Sequence, residues 1–85
     1  PYNNVVIKSP VFIHPSAQVS DSIIGPNVSL GAGCKVQNAI IQDSILEDEA
    51  QAEWVILESS LVGRRAQLIR RPAVINAGDN TIVNL

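Results

Sequence analysis

Few residues in this chain could do chemistry. His14 is the only histidine and has the right group for a general base acting on a hydroxyl or an amine. Cys34 is the only cysteine, so it forms no internal disulfide and fits a reducing compartment. One histidine and one cysteine also make no metal-ligand cluster. Ser16, Ser22, Ser44 and Ser60 are hydroxyl nucleophiles in type, but no histidine is placed to activate them within a repeat. Arg64, Arg65, Arg70 and Arg71 could surround a phosphate. Gly31-Ala32-Gly33 has the outline of a dinucleotide loop, but the third glycine is missing and no helical pattern follows. The sequence therefore nominates no catalytic, cofactor-binding or metal-ligating residue.

The elements that carry these residues are set by a repeat of 16 or 17 residues. Ile13, Leu30, Leu46 and Val62 form one aliphatic column. Val19, Val36, Ala52 and Leu68 form a second. Ile7, Ile24, Ile41, Leu57 and Val74 form a third. Within a repeat the steps are five or six residues, so three short strands make one coil. Hexapeptide self-similarity of this kind marks a parallel β-helix, whose coils bury their apolar sides only by stacking.

Side chains alternate along a strand, so the residue two before each column member also points inward. These positions hold Val11, Val28, Ser44 and Ser60 on the first face, and Ala17, Cys34, Ala50 and Ala66 on the second. On the third they hold Val5, Ser22, Ala39 and Val55. All are small or β-branched, as a narrow coil requires. Cys34 is thus read as a small hydrophobe in an alanine column and His14, before Pro15, as a turn residue. Gly25, Gly31 and Gly63 follow column members and are read as corners that use positive φ. Asn27, Asn38, Asp21 and Asp43 sit at other corners, where they can bond their own backbone. The rungs Ile41 to Leu46 and Leu57 to Val62 each drop one residue from the same corner.

The outward residue lies just before each column member, and here the faces differ. The second face carries Gln18, Lys35, Gln51 and Gln67. The third carries Val6, Ile23, Ile40 and Ile56, with Ala73 next, and the first carries Phe12, Ser29, Ile45 and Leu61. At a strand spacing of about 4.8 Å, four stacked aliphatics make a stripe roughly 15 Å long. β-propensity alone would not leave the second face of the same coils polar. Val6, Ile23, Ile40, Ile56, Phe12, Ile45 and Leu61 are therefore the candidate oligomer or domain interface.

Charges predict ladder neighbours one coil apart: Asp48 with Arg64, Glu49 with Arg65, and Trp54 under Arg70 as a cation–π stack. Such exposed pairs contribute a few tenths of a kcal/mol each. They account for the arginines better than a phosphate site does. The net charge of −2 gives no reason to expect nucleic acid or an anionic membrane. No signal peptide, transit peptide or apolar run of transmembrane length is present, and the first residue is Pro1 rather than methionine. The expectation is a cytoplasmic segment of a longer protein. Residues 1–75 are assigned to the β-helix and 76–85, which leave the register, to a C-terminal cap or subunit-contacting tail.

The runs Val11-Phe-Ile-His-Pro-Ser-Ala-Gln-Val, Ser22-Ile-Ile-Gly-Pro-Asn-Val-Ser-Leu-Gly-Ala-Gly, Asp43-Ser-Ile-Leu-Glu and Ser60-Leu-Val-Gly-Arg-Arg-Ala resemble one known kind of tail. They are similar to the C-terminal left-handed β-helix of sugar-1-phosphate nucleotidyltransferases, most of all the long-form glucose-1-phosphate thymidylyltransferases, down to Gly78-Asp79-Asn80. The resemblance implies an all-β, single-stranded left-handed parallel β-helix of about four to five coils with an irregular C-terminal cap. The left hand comes from it alone, because general chirality rules favour right-handed crossovers. It also implies a non-catalytic module for oligomerisation or docking on an N-terminal catalytic domain. That domain would bind nucleotide, sugar phosphate and Mg2+, with no cofactor held by this segment. The expected assembly is a homo-oligomer, a trimer if three helices pack axis-parallel through their third faces. The alternative is a hexapeptide acyltransferase with His14 as general base at a subunit boundary. Such enzymes need an acyl-CoA cleft with an extruded loop or a helical extension, for which this chain has no room.

Overall fold

The computed structural model describes residues 2–70, and these contain strands and no helix. In chain order the strands are β1 (Tyr2–Ile7), β2 (Val11–Ile13), β3 (Gln18–Ile24), β4 (Val28–Leu30), β5 (Lys35–Gln37), β6 (Ile40–Gln42), β7 (Ser44–Leu46), β8 (Gln51–Glu53), β9 (Ile56–Glu58), β10 (Leu61–Val62) and β11 (Gln67–Ile69). Every pairing is parallel. One sheet runs β2-β4-β7-β10 and is the first face. The second and third faces form one continuous sheet, because β3 runs unbroken through the corner between them. The result is a left-handed parallel β-helix of about four coils.

The inward columns are those the repeat predicts. Ile13 pairs with Leu30, Leu30 with Leu46, and Leu46 with Val62. Val19, Val36, Ala52 and Leu68 are partners in sequence, as are Ile7, Ile24, Ile41 and Leu57. Ile24, Leu30, Ile41, Leu46, Val19 and Val36 are fully buried and, with Ala17, Cys34, Ala39, Ala50 and Ala52, make one continuous core. The alternation of large and small side chains fills a lumen too narrow for rings. The two shortened rungs pair in register, Ile41 with Leu57 and Leu46 with Val62, because their corners hold two residues where earlier coils have three. The expected fifth-coil residues Ala73 and Val74, the boundary at 75, the tail 76–85 and Arg71 lie outside the described residues.

The corners are built differently from the expectation based on glycine. Among the described residues only Gly25 and Gly33 of the glycines have positive φ, at 106° and 72°, whereas Gly31 and Gly63 do not. Positive φ instead falls in three stacked columns: Asn4, Asp21, Asn38 and Trp54; Asn27, Asp43 and Ser59; and Gly33, Glu49 and Arg65. At most of these corners a single left-handed residue swings the chain sharply enough to start the next strand. Asn and Asp tolerate that conformation, while Trp54, Glu49 and Arg65 bear its steric cost. Gly31 is needed for a different reason: a Cβ there would collide with the Asp48 carboxylate.

Candidate functional site

Three chemical candidates resolve into structural roles. His14 Nδ1 accepts the Ser16 amide at 3.1 Å and the Ser16 hydroxyl at 2.8 Å. An amide can only donate, so in the neutral ring the proton sits on Nε2. Ser16 Oγ in turn accepts the Gly33 amide of the next coil at 2.9 Å. The expectation that no serine has a histidine beside it within a coil is therefore corrected: Pro15 turns the chain so that Ser16 folds back on His14. The pair closes a corner and fastens it to the coil above. Among the described residues no carboxylate bonds to His14 to orient it as a base.

Cys34 is fully buried among the alanines. Its thiol lies 3.1 Å from the Glu47 carbonyl oxygen, and burial pushes its pKa up from the usual 9.0, with nearby Asp48 adding a smaller push in the same direction. That is the opposite of the activation a nucleophilic cysteine needs. The arginines do not converge either. Arg65 pairs with Glu49 at 3.6 Å, with both side chains mostly in solvent. Asp48 is in register with Arg64 but turns away from it, its carboxylate accepting the Ala32 amide at 3.0 Å. Arg70 lines a groove with Trp54 at a different corner. Among the described residues no group of three or more His, Cys, Asp or Glu could hold a metal ion.

One feature escaped sequence reasoning: the inward serines are not merely small. Ser22 Oγ donates to the Ser20 carbonyl at 2.7 Å and accepts the Ala39 amide at 3.1 Å. Ser44 Oγ does the same between the Gln42 carbonyl and the Ser60 amide, and Ser60 Oγ donates to the Glu58 carbonyl. Each hydroxyl satisfies a carbonyl at its own corner, and Ser22 and Ser44 also take an amide from the next coil. The recurrence of serine at inward positions of three coils was the available signal.

What remains on the surface is an asymmetry of faces. Val6 pairs with Ile23, Ile23 with Ile40 and Ile40 with Ile56, so the third-face stripe is continuous. Val6, Ile40 and Ile56 are 54%, 44% and 71% exposed, and Ile23 is half-buried between its neighbours. On the first face Phe12, Ile45 and Leu61 are exposed, with Ser29 a notch between Phe12 and Ile45. These two faces meet at one corner, across from Gln18, Lys35, Gln51 and Gln67 on the second. The seven residues proposed from sequence thus lie on two adjoining apolar faces of one prism. No helix of the described residues is long and apolar enough to cross a membrane.

Comparison with known proteins agrees with this architecture. A family model described as GlmU-like, C-terminal hexapeptide matches residues 2–52. A probable mannose-1-phosphate guanyltransferase of Schizosaccharomyces pombe is 36% identical over 95 residues, spanning 98% of this chain and 22% of the relative. A glucose-1-phosphate thymidylyltransferase of Streptomyces antibioticus is 32% identical over 88 residues, spanning 96% of this chain and 25% of the relative. A glucose-1-phosphate thymidylyltransferase of Streptomyces griseus is 32% identical over 75 residues, spanning 87% and 21%. The chain therefore spans a quarter or less of the length of these curated relatives, and matches a C-terminal part of them.

Proposed function

The chain belongs to the GlmU-like C-terminal hexapeptide family, and from that premise we propose that it is the non-catalytic association module of a sugar nucleotidyltransferase. The whole protein would join a nucleoside triphosphate to a sugar-1-phosphate, releasing pyrophosphate, in the cytoplasm. Its chemistry, and the Mg2+ that assists it, would belong to a separate N-terminal domain. The observation that carries this reading is the contrast between outward columns of the same coils. Gln18, Lys35 and Gln67 are exposed and Gln51 half-buried, all of them polar, while Val6, Ile23, Ile40 and Ile56 are not provided with any covering layer among the described residues.

Covering that stripe would remove apolar surface from water at about 25 cal/mol per Å². In this reading the third faces of three copies pack about a common axis parallel to the helices, giving a trimer, and the first face is free for the catalytic domain or another copy. An acyltransferase using His14 gains no support from the site, because the imidazole is occupied by Ser16 at a corner. The test is sedimentation of the chain carrying both Ile23→Asp and Ile40→Asp. Both side chains face outward, so the coil should stay folded by circular dichroism while the three-fold assembly is lost. An unchanged mass would sink the assignment of this stripe.

A further inference from the structure

We propose that the first face is itself a self-complementary contact, which pairs two copies with their helix axes antiparallel. The inference rests on reading the module as an association surface, but uses a different face from the trimer stripe. Its column runs Phe12, Ser29, Ile45, Leu61, with each residue the direct neighbour of the next. Large, small, large, large is an asymmetric order, and of the two-fold arrangements that overlap all four strands only one fills its gap.

Face-to-face packing about a two-fold axis along the strands reverses the order of coils in the second copy. Ser29 then meets the second copy's Ile45, and Phe12 meets its Leu61, each contact occurring twice. The notch between Phe12 and Ile45, walled by Pro10 and Asn27 at the corner, receives the second copy's isoleucine. The rim agrees with the same choice. Lys8, Gly25, Gln42 and Glu58 form one column along the adjoining corner, so reversal sets Lys8 opposite the second copy's Glu58. Glu58 is held in place by Gln42, whose Nε2 donates to its Oε1 at 2.8 Å. Reversal also sets Asn27 opposite Asp43, the same amide–carboxylate pairing that these two residues make within one copy at 2.9 Å.

The other two-fold, with parallel helix axes, sets Ser29 opposite Ser29 and leaves the notch empty. It also brings Asp43 toward Glu47 and Asp48, which meet across the strand ends as like charges. Size therefore selects the antiparallel pairing, and the Lys8–Glu58 and Asn27–Asp43 rim agrees with it, whereas the parallel arrangement offsets its like charges only at Glu58 and Arg64. Four strands at about 4.8 Å spacing make a contact roughly 15 Å tall. That is at the small end for a specific interface.

The decisive experiment exchanges knob and hole. Sedimentation equilibrium of the full 85-residue chain is compared for the unmodified protein, Ser29→Ile, Ile45→Ser and the double variant, each checked for folding by circular dichroism. Antiparallel pairing predicts that Ser29→Ile sets isoleucine against isoleucine and Ile45→Ser sets serine against serine. Each should weaken two-fold association by about tenfold. The double variant restores a large residue opposite a small one and should recover to within about threefold of the original. A double variant no better than either single, or singles that associate as the original does, would overturn the pairing. Running the series also in the Ile23→Asp, Ile40→Asp background separates the two faces. Association lost there, with the exchange series silent in the unmodified background, rejects this inference and leaves the trimer stripe standing. Two-fold association that persists there and follows the exchange pattern supports the first face, and a three-fold species that also persists counts against the stripe.

Discussion

The side-chain amide of Asn27 donates to the carboxylate of Asp43 one coil away at 2.9 Å, and both residues stand at positive φ. The same bond joins Asn4 to Asp21 at the neighbouring corner column. Short polar side chains thus do two things at a β-helix corner: they tolerate the left-handed backbone, and they tie successive corners together.

The third member of the Asn27 column is Ser59, at φ 49° with no amide to extend the ladder. Ser59→Asn should therefore stabilise the fold by about 0.5–1 kcal/mol, combining a better left-handed residue with a new donor toward Asp43. Urea denaturation would register this as a higher midpoint with an unchanged slope. A lower midpoint would mean that the corner has no room for the longer side chain.

Two glycines that look equivalent in sequence should respond differently to alanine. At Gly25, φ is positive and a Cβ would run into the Lys8 carbonyl oxygen. At Gly63 the backbone is ordinary and the nearest atom to a Cβ is Glu47 Oε1, 3.9 Å away. Gly25→Ala should cost about 3 kcal/mol or more, while Gly63→Ala should be neutral to mildly stabilising. Thermal melts of the two variants would check the contrast, and equal losses would contradict it.

Ser22→Ala removes the acceptor of the buried Ala39 amide and the donor to the Ser20 carbonyl. Leaving that amide unpaired should cost about 2 kcal/mol. Hydrogen exchange at Ala39 should also accelerate in the variant. A loss below about 0.5 kcal/mol would show that the hydroxyl is replaceable by water.

Cys34 gives the pH-dependent prediction. Its thiol is held neutral by burial, with a pKa above 9.0 in the folded chain. The folded state thus binds this proton more tightly than the unfolded state does. Its contribution is fully present below about pH 9 and is lost as pH rises through the elevated value. Between about pH 8 and pH 11 the unmodified chain should lose more stability than Cys34→Ala, which places alanine in a column of alanines. Denaturation at the two pH values measures the difference, and parallel losses would remove Cys34 from the account. The thiol should also resist alkylating reagents until the chain unfolds.

The sequence by itself determined the coil. Ile24 beneath Ile41 and Leu30 beneath Leu46 follow from a period that no other packing satisfies, and the polar Gln18 to Gln67 column against Val6 to Ile56 follows from the same register. Strand pairing in a β-helix is local in the repeat, so a periodic pattern specifies it directly. Only the tertiary structure decided how the corners are made. Left-handed residues fell on Trp54, Glu49, Ser59 and Arg65 as well as on Asn and Asp, while Gly31 and Gly63 stayed ordinary. A corner's φ is set by stacking on the coil below, and this can force a residue into a conformation that its own propensity disfavours. The same holds for Ser22 and Ser44, whose hydroxyls matter only once an amide of the next coil arrives above them. His14 and Ser16 likewise became partners through the turn at Pro15, a contact that composition and spacing do not encode.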